Sequence, residues 1–350
     1  MTTAFCYKQY FVETMMDWLN EIPRYRLGHW PTPLEPLERL SQELGGPAIW
    51  VKRDDCSGLL TGGNKTRKLE YLIADALSEG ADTVVTFGAV QSNHARQTAA
   101  ACAKTGLECH LVLTRRVPWK SDSYETNGNI LLNQLCDAHI HIMENEDAET
   151  KTGELINSLQ SESKKVYLIP PGGSNATGAL GYTVCVDEIT KQIEEKEIHK
   201  PIIFHASASA GTQSGLVFGI QTIGAEIPII GVNVYHKNSQ NLQQKIMEIV
   251  SELQTEHKGS GLVSIPEDVV NIDNSYLGEG YGLPSKKTLD AIRLAASLEG
   301  IAFDPVYSGK ALEAVIDKAI LGDLDDYSDV ILIHTGGAFV LPVYQEAIAG

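Results

Sequence analysis

Residues 83–113 read TVVTFGAVQSNHARQTAAACAKTGLECHLVL, with the pattern of a strand, a helix and a second strand. Thr83–Phe87 is a short apolar run of strand length. Gly88–Ser92 is a small, polar loop. Asn93–Thr105 is amphipathic and of helix length, and Cys109–Leu113 is apolar again. Strand, helix and strand in succession mark a parallel pair joined by a crossover helix.

The alternation continues outward in both directions. Further strand-like runs are Ile49–Lys52, His139–Met143, Val166–Ile169, Ile202–His205, Ile229–Val234 and Val330–His334. Helix-like segments are Glu125–Cys136, Glu149–Gln160, Gly181–Lys191, Gly211–Thr222, Asn238–Gln254, Ser285–Glu299 and Gly309–Ala319. The expected fold class is α/β. The length of 350 residues suggests two open, twisted, mostly parallel sheets flanked by helices rather than one.

Two loops offer crossing points between the sheets. They are IPPGGSNAT at 169–177 and TGGNK at 61–65. The expected organisation is an N-terminal extension, 1–20, and a discontinuous larger domain, 21–66 and 169–350. A smaller α/β domain, 67–168, is inserted into it. In the extension, Phe11, Met15, Trp18 and Leu19 have helical spacing, which suits a helix packed on the body or on a partner. Met15 and Met16 also offer alternative starts. The site is expected in the cleft, where loops follow strand C-termini.

Composition removes several classes. Asp+Glu number 45 against 28 Lys+Arg, a net charge of −17, which argues against a general nucleic-acid binder. No run approaches the ~20 apolar residues of a membrane helix. The first 20 residues lack a basic segment followed by an apolar core, so they do not read as a secretory signal. Six cysteines lie far apart without a C-x-x-C pair, which fits reduced cytoplasmic thiols. His139 and His141 alternate along one strand face, with no Cys or carboxylate cluster to complete a ligand set, so no metal site is expected.

Five segments carry chemistry. In 61–70, TGGNKTRKLE, two glycines precede Lys65 at a helix start. The macrodipole, Arg67 and Lys68 would lower the pKa of that lysine. In 88–94, GAVQSNH, a strand end meets a helix whose free N–H groups can hold a carboxylate. In 207–215, SASAGTQSG, small residues and hydroxyls make a cup for one phosphate. Tyr281 in GEGYGLP and Tyr307 in DPVYSGK are candidate active-site phenols, and HTGG at 334–337 ends the last apolar strand. Each segment alone also reads as an ordinary helix start or turn. Together they hold an imine-forming lysine, a phosphate cup and a carboxylate loop, the parts needed for pyridoxal 5′-phosphate and an amino acid.

With these segments in order, the sequence resembles the fold-type II pyridoxal-phosphate enzymes. It is most similar to the group of 1-aminocyclopropane-1-carboxylate (ACC) deaminase, D-cysteine desulfhydrase and L-cysteate sulfo-lyase. GGNKTRKLE, QSNHARQTAA, GGSNATGALGY, SAGTQSGL, GEGYGLP and DPVYSGKA occur in the family's order, from about Ile22 to Tyr344. The resemblance implies that Lys65 bonds covalently to the cofactor and that Asn93 meets its ring hydroxyl. Ser209, Ala210, Gly211 and Thr212 would cup the phosphate, with Ala208 standing where relatives have Gly. Ser92, Asn93 and His94 would grip the substrate carboxylate. Lys65, Ser92, Tyr281 and Tyr307 would be the catalytic set, and Thr335 would meet the pyridine nitrogen.

Within the group, ACC deaminases resemble DPVYEGK where this chain has Ser308, with Leu at the position of Thr335 and Gln at that of His94. A carboxylate partner makes the ring a stronger electron sink, and hydroxyl partners leave a weaker one. That suffices when a good leaving group sits on Cβ. The implied function is therefore β-elimination by a carbon–sulfur lyase, first D-cysteine desulfhydrase, with L-cysteate sulfo-lyase as the alternative. A non-catalytic relative that binds pyridoxal phosphate or an amino acid is the alternative of another class. Arg115, Arg116 and Lys120 would suit a sulfonate but read first as a solvated loop. The resemblance also implies a homodimer, and the cysteines suit a cytoplasmic setting.

Overall fold

The computed structural model describes residues 17–257 and 265–349. Ten strands form two sheets. The larger sheet has the order β1-β2-β10-β7-β8-β9. Its strands are β1 Leu34–Pro36, β2 Ala48–Lys52, β7 Pro201–Ser207, β8 Ile229–Asn233, β9 Asn271–Asp273 and β10 Asp329–Ile333. All neighbours are parallel except β1 on β2. The smaller sheet, β5-β4-β3-β6, is wholly parallel. It uses β3 Thr83–Ala89, β4 Glu108–Thr114, β5 His139–Met143 and β6 Val166–Ile169.

The expected fold class therefore stands, and every predicted strand is present. The two unpredicted strands, β1 and β9, are three-residue edge strands, too short for a period-2 pattern. Parallel strands are covered on both faces and read as continuous apolar runs. All five residues of β10 are buried.

Eleven α-helices are described. They are α1 Glu38–Leu44, α2 Lys65–Ser78, α3 Asn93–Thr105, α4 Asn129–Leu135, α5 Ala148–Ser161 and α6 Ala176–Glu195. The remainder are α7 Gly211–Thr222, α8 Ser239–Glu256, α9 Lys286–Glu299, α10 Ser308–Leu321 and α11 Gln345–Ala349. Helix α6 starts earlier than Gly181 because the Asn175 side chain caps it, accepting from the Gly178 N–H at 2.9 Å. Helix α4 is shorter than predicted because Gly128, at φ 62°, breaks the chain just before it. No helix among the described residues is long and apolar enough to cross a membrane.

Helix α2 joins the two cores. Leu69, Leu72 and Ile73 pack with Val84 and Leu111 of the smaller sheet, while Tyr71 packs with Ile203 and Ile331 of the larger. Of the predicted N-terminal helix, Phe11 and Met15 lie outside the described residues. Trp18 and Leu19 stand instead in a 3-10 turn, Asp17–Glu21. Leu19 is buried in the larger core, and Trp18 stacks on His257 at 4.9 Å.

A buried polar cluster fixes the start of α2. Arg67 donates from Nε to Asp54 Oδ2 and from Nη2 to Asp54 Oδ1, both at 2.8 Å. Its Nη1 and Nη2 reach the two oxygens of Glu188 on α6 at 2.9 Å. Lys52 adds its ammonium to Glu188 at 3.1 Å, and the Tyr182 hydroxyl donates to Asp54 at 2.6 Å. Charges so far from water persist only when paired on every side. The cluster thus ties the end of β2, the first turn of α2 and the middle of α6 together.

Candidate active site

A cavity of about 260 Å³ opens where strand ends β3 and β7 meet the loop after β10. Of the residues expected in the site, Lys65, Ser92, Asn93, His94, Ser209, Ala210, Thr212, Tyr281, Tyr307 and Thr335 line it. Gly211 stands just behind as the first residue of α7.

Lys65 is the first residue of α2. Its pKa is lowered to about 8, chiefly by burial. The expected cause is therefore corrected in part. Arg67 contributes nothing, because its charge is spent on Asp54 and Glu188. Lys68 opposes the shift, since it shares a hydrogen bond with Lys65.

Lys68 belongs to the site, a role the sequence reading missed. It is fully buried, and burial and the Lys65 charge push its pKa well down. Its Nζ donates to the Gly172 carbonyl and the Ser174 hydroxyl, both at 3.2 Å. A Cβ on Gly211 would stand 2.9 Å from that nitrogen, so Lys68 backs the first N–H groups of α7. The Lys65-x-x-Lys68 spacing, one helical turn, was the available signal.

The loop before α7 is an anion cradle. Ala210 takes φ 74°, a left-handed conformation unfavourable to a residue with a Cβ. It turns the chain into the start of α7, where the Gly211 N–H donates to Ser209 and Ser174 and Thr212 lines the cavity. The Ser209 hydroxyl accepts from Ser174 at 2.8 Å, and Thr212 accepts from the Asn64 side chain at 3.2 Å. Opposite the expected departure, the Ala208 carbonyl accepts from His236 at 2.8 Å.

Across the cavity, the Ser92 side chain caps α3, accepting from the Ala95 N–H at 3.1 Å. The Asn93 carbonyl oxygen Oδ1 accepts from Asn129 at 2.8 Å. His94 is buried, and its pKa is pushed well down by burial and by Lys65 and Lys68. The Thr86 hydroxyl lies 2.8 Å from His94 Nε2 and donates to the Ile169 carbonyl at 2.9 Å. With the hydroxyl proton so committed, the network assigns the ring proton to Nε2. Nδ1 is then an acceptor, buried without a hydrogen-bond partner.

The hydroxyls of Tyr281 and Tyr307 are hydrogen-bonded to each other. Burial raises the Tyr281 pKa to about 12 and the Tyr307 pKa well above its ordinary value. Both phenols keep their protons at neutral pH. Only one O–H is used between them, so the other is free to donate. Asp304 holds Tyr307 in place by accepting its N–H, that of Val306 at 2.9 Å and that of Ser308 at 2.7 Å.

Two expectations change here. Ser308, read as choosing the branch, does not line the cavity; its hydroxyl donates to Asp304 at 2.6 Å. His334 also turns away, stacked on Phe303 at 4.2 Å, and leaves Thr335 as the hydroxyl of the last strand's loop. Arg116 lines the cavity rather than standing only in a solvated loop, while Arg115 pairs with Glu125 and Glu144 on the surface. Tyr235, His236 and Lys245 line it too, and no sequence motif had marked them.

The site fits pyridoxal phosphate on its own chemistry. A buried lysine of lowered pKa faces a helix N-terminus backed by a second lysine, with a hydroxyl between. A family model described as pyridoxal-phosphate dependent enzyme matches residues 25–336. The chain belongs to the pyridoxal-phosphate dependent enzymes. Within them it is 41% identical over 336 residues to D-cysteine desulfhydrase of Yersinia enterocolitica, covering 96% of this chain and all of that one. The same-named protein of Serratia proteamaculans is 41% identical over 332 residues, covering 94% and 98%. The crystal structure of an ACC deaminase homologue matches with a TM-score of 0.85 at 34% identity, covering 96% and 98%. Pyridoxal phosphate is the cofactor, and the fold is that of its fold-type II enzymes.

Proposed function

We propose that this pyridoxal-phosphate lyase is a D-cysteine desulfhydrase. D-Cysteine and water give pyruvate, hydrogen sulfide and ammonia. One observation carries the reading. Where a stronger electron sink needs a carboxylate, the cavity wall holds the Thr335 hydroxyl, in a chain 41% identical to enzymes of that name. Bound pyridoxal phosphate supplies the electron-withdrawing ring that lets an amino acid lose its α-proton.

The protein groups then divide the work. Lys65 holds the cofactor and, once freed, is the base. At pH 7.5 a pKa of about 8 leaves about a quarter of it as free amine, against about one part in a thousand at 10.5. Ser209, Ala210, Gly211 and Thr212, backed by Lys68, hold the phosphate. Ser92 and Asn93 bind the substrate carboxylate at the start of α3. His94 joins them as an acceptor, so it meets a donor on the substrate rather than the carboxylate itself. Tyr281 and Tyr307 present one free O–H to the departing sulfur. The division at 66/67 and 168/169 into two domains belongs to the same proposal, supported by the smaller sheet's continuous origin in Thr83–Ile169. So does a homodimer, supported by Leu135, 71% exposed on α4. A cytoplasmic setting fits the six cysteines, of which the five among the described residues are free.

Arg116 favours a second reading, L-cysteate sulfo-lyase, because a guanidinium at the cavity suits a sulfonate. Product analysis with the cofactor-loaded protein separates the two. Sulfide from D-cysteine supports the first, sulfite from L-cysteate the second, and no turnover of either supports a binding role.

A further inference from the structure

The expectation that His139 and His141 lack ligand partners is overturned by the neighbouring strand. Glu108 and His110 stand on one face of β4, and His139 and His141 on the same face of β5. The register sets His110 directly opposite His139. Glu108, His110 and His139 bring one ligand atom each to within 4.8 Å of one another. Sequence reading missed this because the pairing crosses 31 positions between His110 and His141.

We propose that Glu108, His110 and His139 form a divalent-cation site of the Zn²⁺ class. Zn²⁺ bonds of about 2.0–2.2 Å require tetrahedral edges of about 3.3–3.6 Å between ligand atoms. Glu108 Oε1 lies 2.9 Å from His110 Nε2 and 3.5 Å from His139 Nε2. The His110 and His139 rings stack at 4.5 Å, so the third edge closes only when His139, whose side chain is 55% exposed, turns out of that stack. The other Glu108 oxygen is held by Lys164, which leaves Oε1 to the cation. On the far side, His110 Nδ1 lies 3.1 Å from His141 Nε2. Metal-bound imidazoles take such a partner on their second nitrogen.

The place of the site gives its role. β4 and β5 both begin there, so it lies at the strand N-termini, opposite the sheet end that feeds the catalytic cavity. β5 is an edge strand. The cation fastens that edge to β4 and takes no part in the reaction.

The test uses the full-length, cofactor-loaded protein without substrate and Co²⁺ as the probe. The expected result is one Co²⁺ per chain with tetrahedral visible absorption, displaced by Zn²⁺. His139→Ala and Glu108→Gln weaken binding more than about 10-fold, and His141→Ala weakens it by about 10–100-fold. His139→Ala is exposed enough to fold normally and leaves turnover unchanged. Zn²⁺ at about 100-fold above Kd raises the Tm of the wild type by about 4 °C and that of His139→Ala by none. Absence of Co²⁺ binding, or binding undiminished in His139→Ala, overturns the proposal.

Discussion

Arg67 grips both carboxylate oxygens of Asp54 at 2.8 Å, two residues after the lysine that faces the cavity. The pair is buried, and Glu188 closes the guanidinium's other edge. Arg67→Ala leaves the buried Asp54 carboxylate without its cationic partner and Glu188 with Lys52 alone, at a cost of about 3–5 kcal/mol. Arg67→Lys retains the charge but loses the fork, so it restores only part of that. Denaturant unfolding of the three proteins measures both losses.

Uptake of cofactor by the apoprotein needs Lys65 as the neutral amine. Burial lowers its pKa to about 8. The uptake rate therefore climbs about tenfold per pH unit below 8 and levels off above it. A lysine at its ordinary value would still be climbing at about pH 9.5. Stopped-flow growth of the visible absorption band after mixing with pyridoxal phosphate gives the profile.

The Tyr281–Tyr307 pair acts as one donor. Replacing either with Phe lowers kcat/KM by about 10²-fold, within the range for a positioned proton donor. The double variant costs about as much as one single variant, because the phenols share a hydrogen bond. A double-mutant cycle on kcat/KM reads the coupling.

Ser308→Glu does not convert the site to the carboxylate type. The new side chain replaces a hydroxyl that donates to Asp304, and it sets two buried carboxylates against each other. Loss of stability by about 2–4 kcal/mol is expected, read as a lower denaturation midpoint.

The strands were legible because parallel strands buried on both faces read as unbroken apolar runs, as in Val330–Ile333. Lys65, Ser92 and the 207–215 loop were legible because helix starts after small-residue loops have a local signature. Lys68, Arg116 and Tyr235 were not. Nothing local separates a lysine backing a phosphate cradle from one in solvent; the contact with Gly211 is tertiary. Ser308 shows the reverse case. Its motif was recognised, yet the hydroxyl is spent on Asp304. The Glu108–His110–His139 group exists only through strand register.

In the proposed function, Lys65 and its cavity eliminate sulfide from D-cysteine. Simultaneous assay of sulfide and pyruvate, with the cofactor-loaded wild type and Lys65→Ala supplied with D-cysteine, L-cysteine and L-cysteate, tests it most directly. Equal sulfide and pyruvate from D-cysteine, a lower kcat/KM for L-cysteine and no product from Lys65→Ala are expected. Sulfite from L-cysteate with no sulfide from D-cysteine, or undiminished turnover by Lys65→Ala, would contradict it.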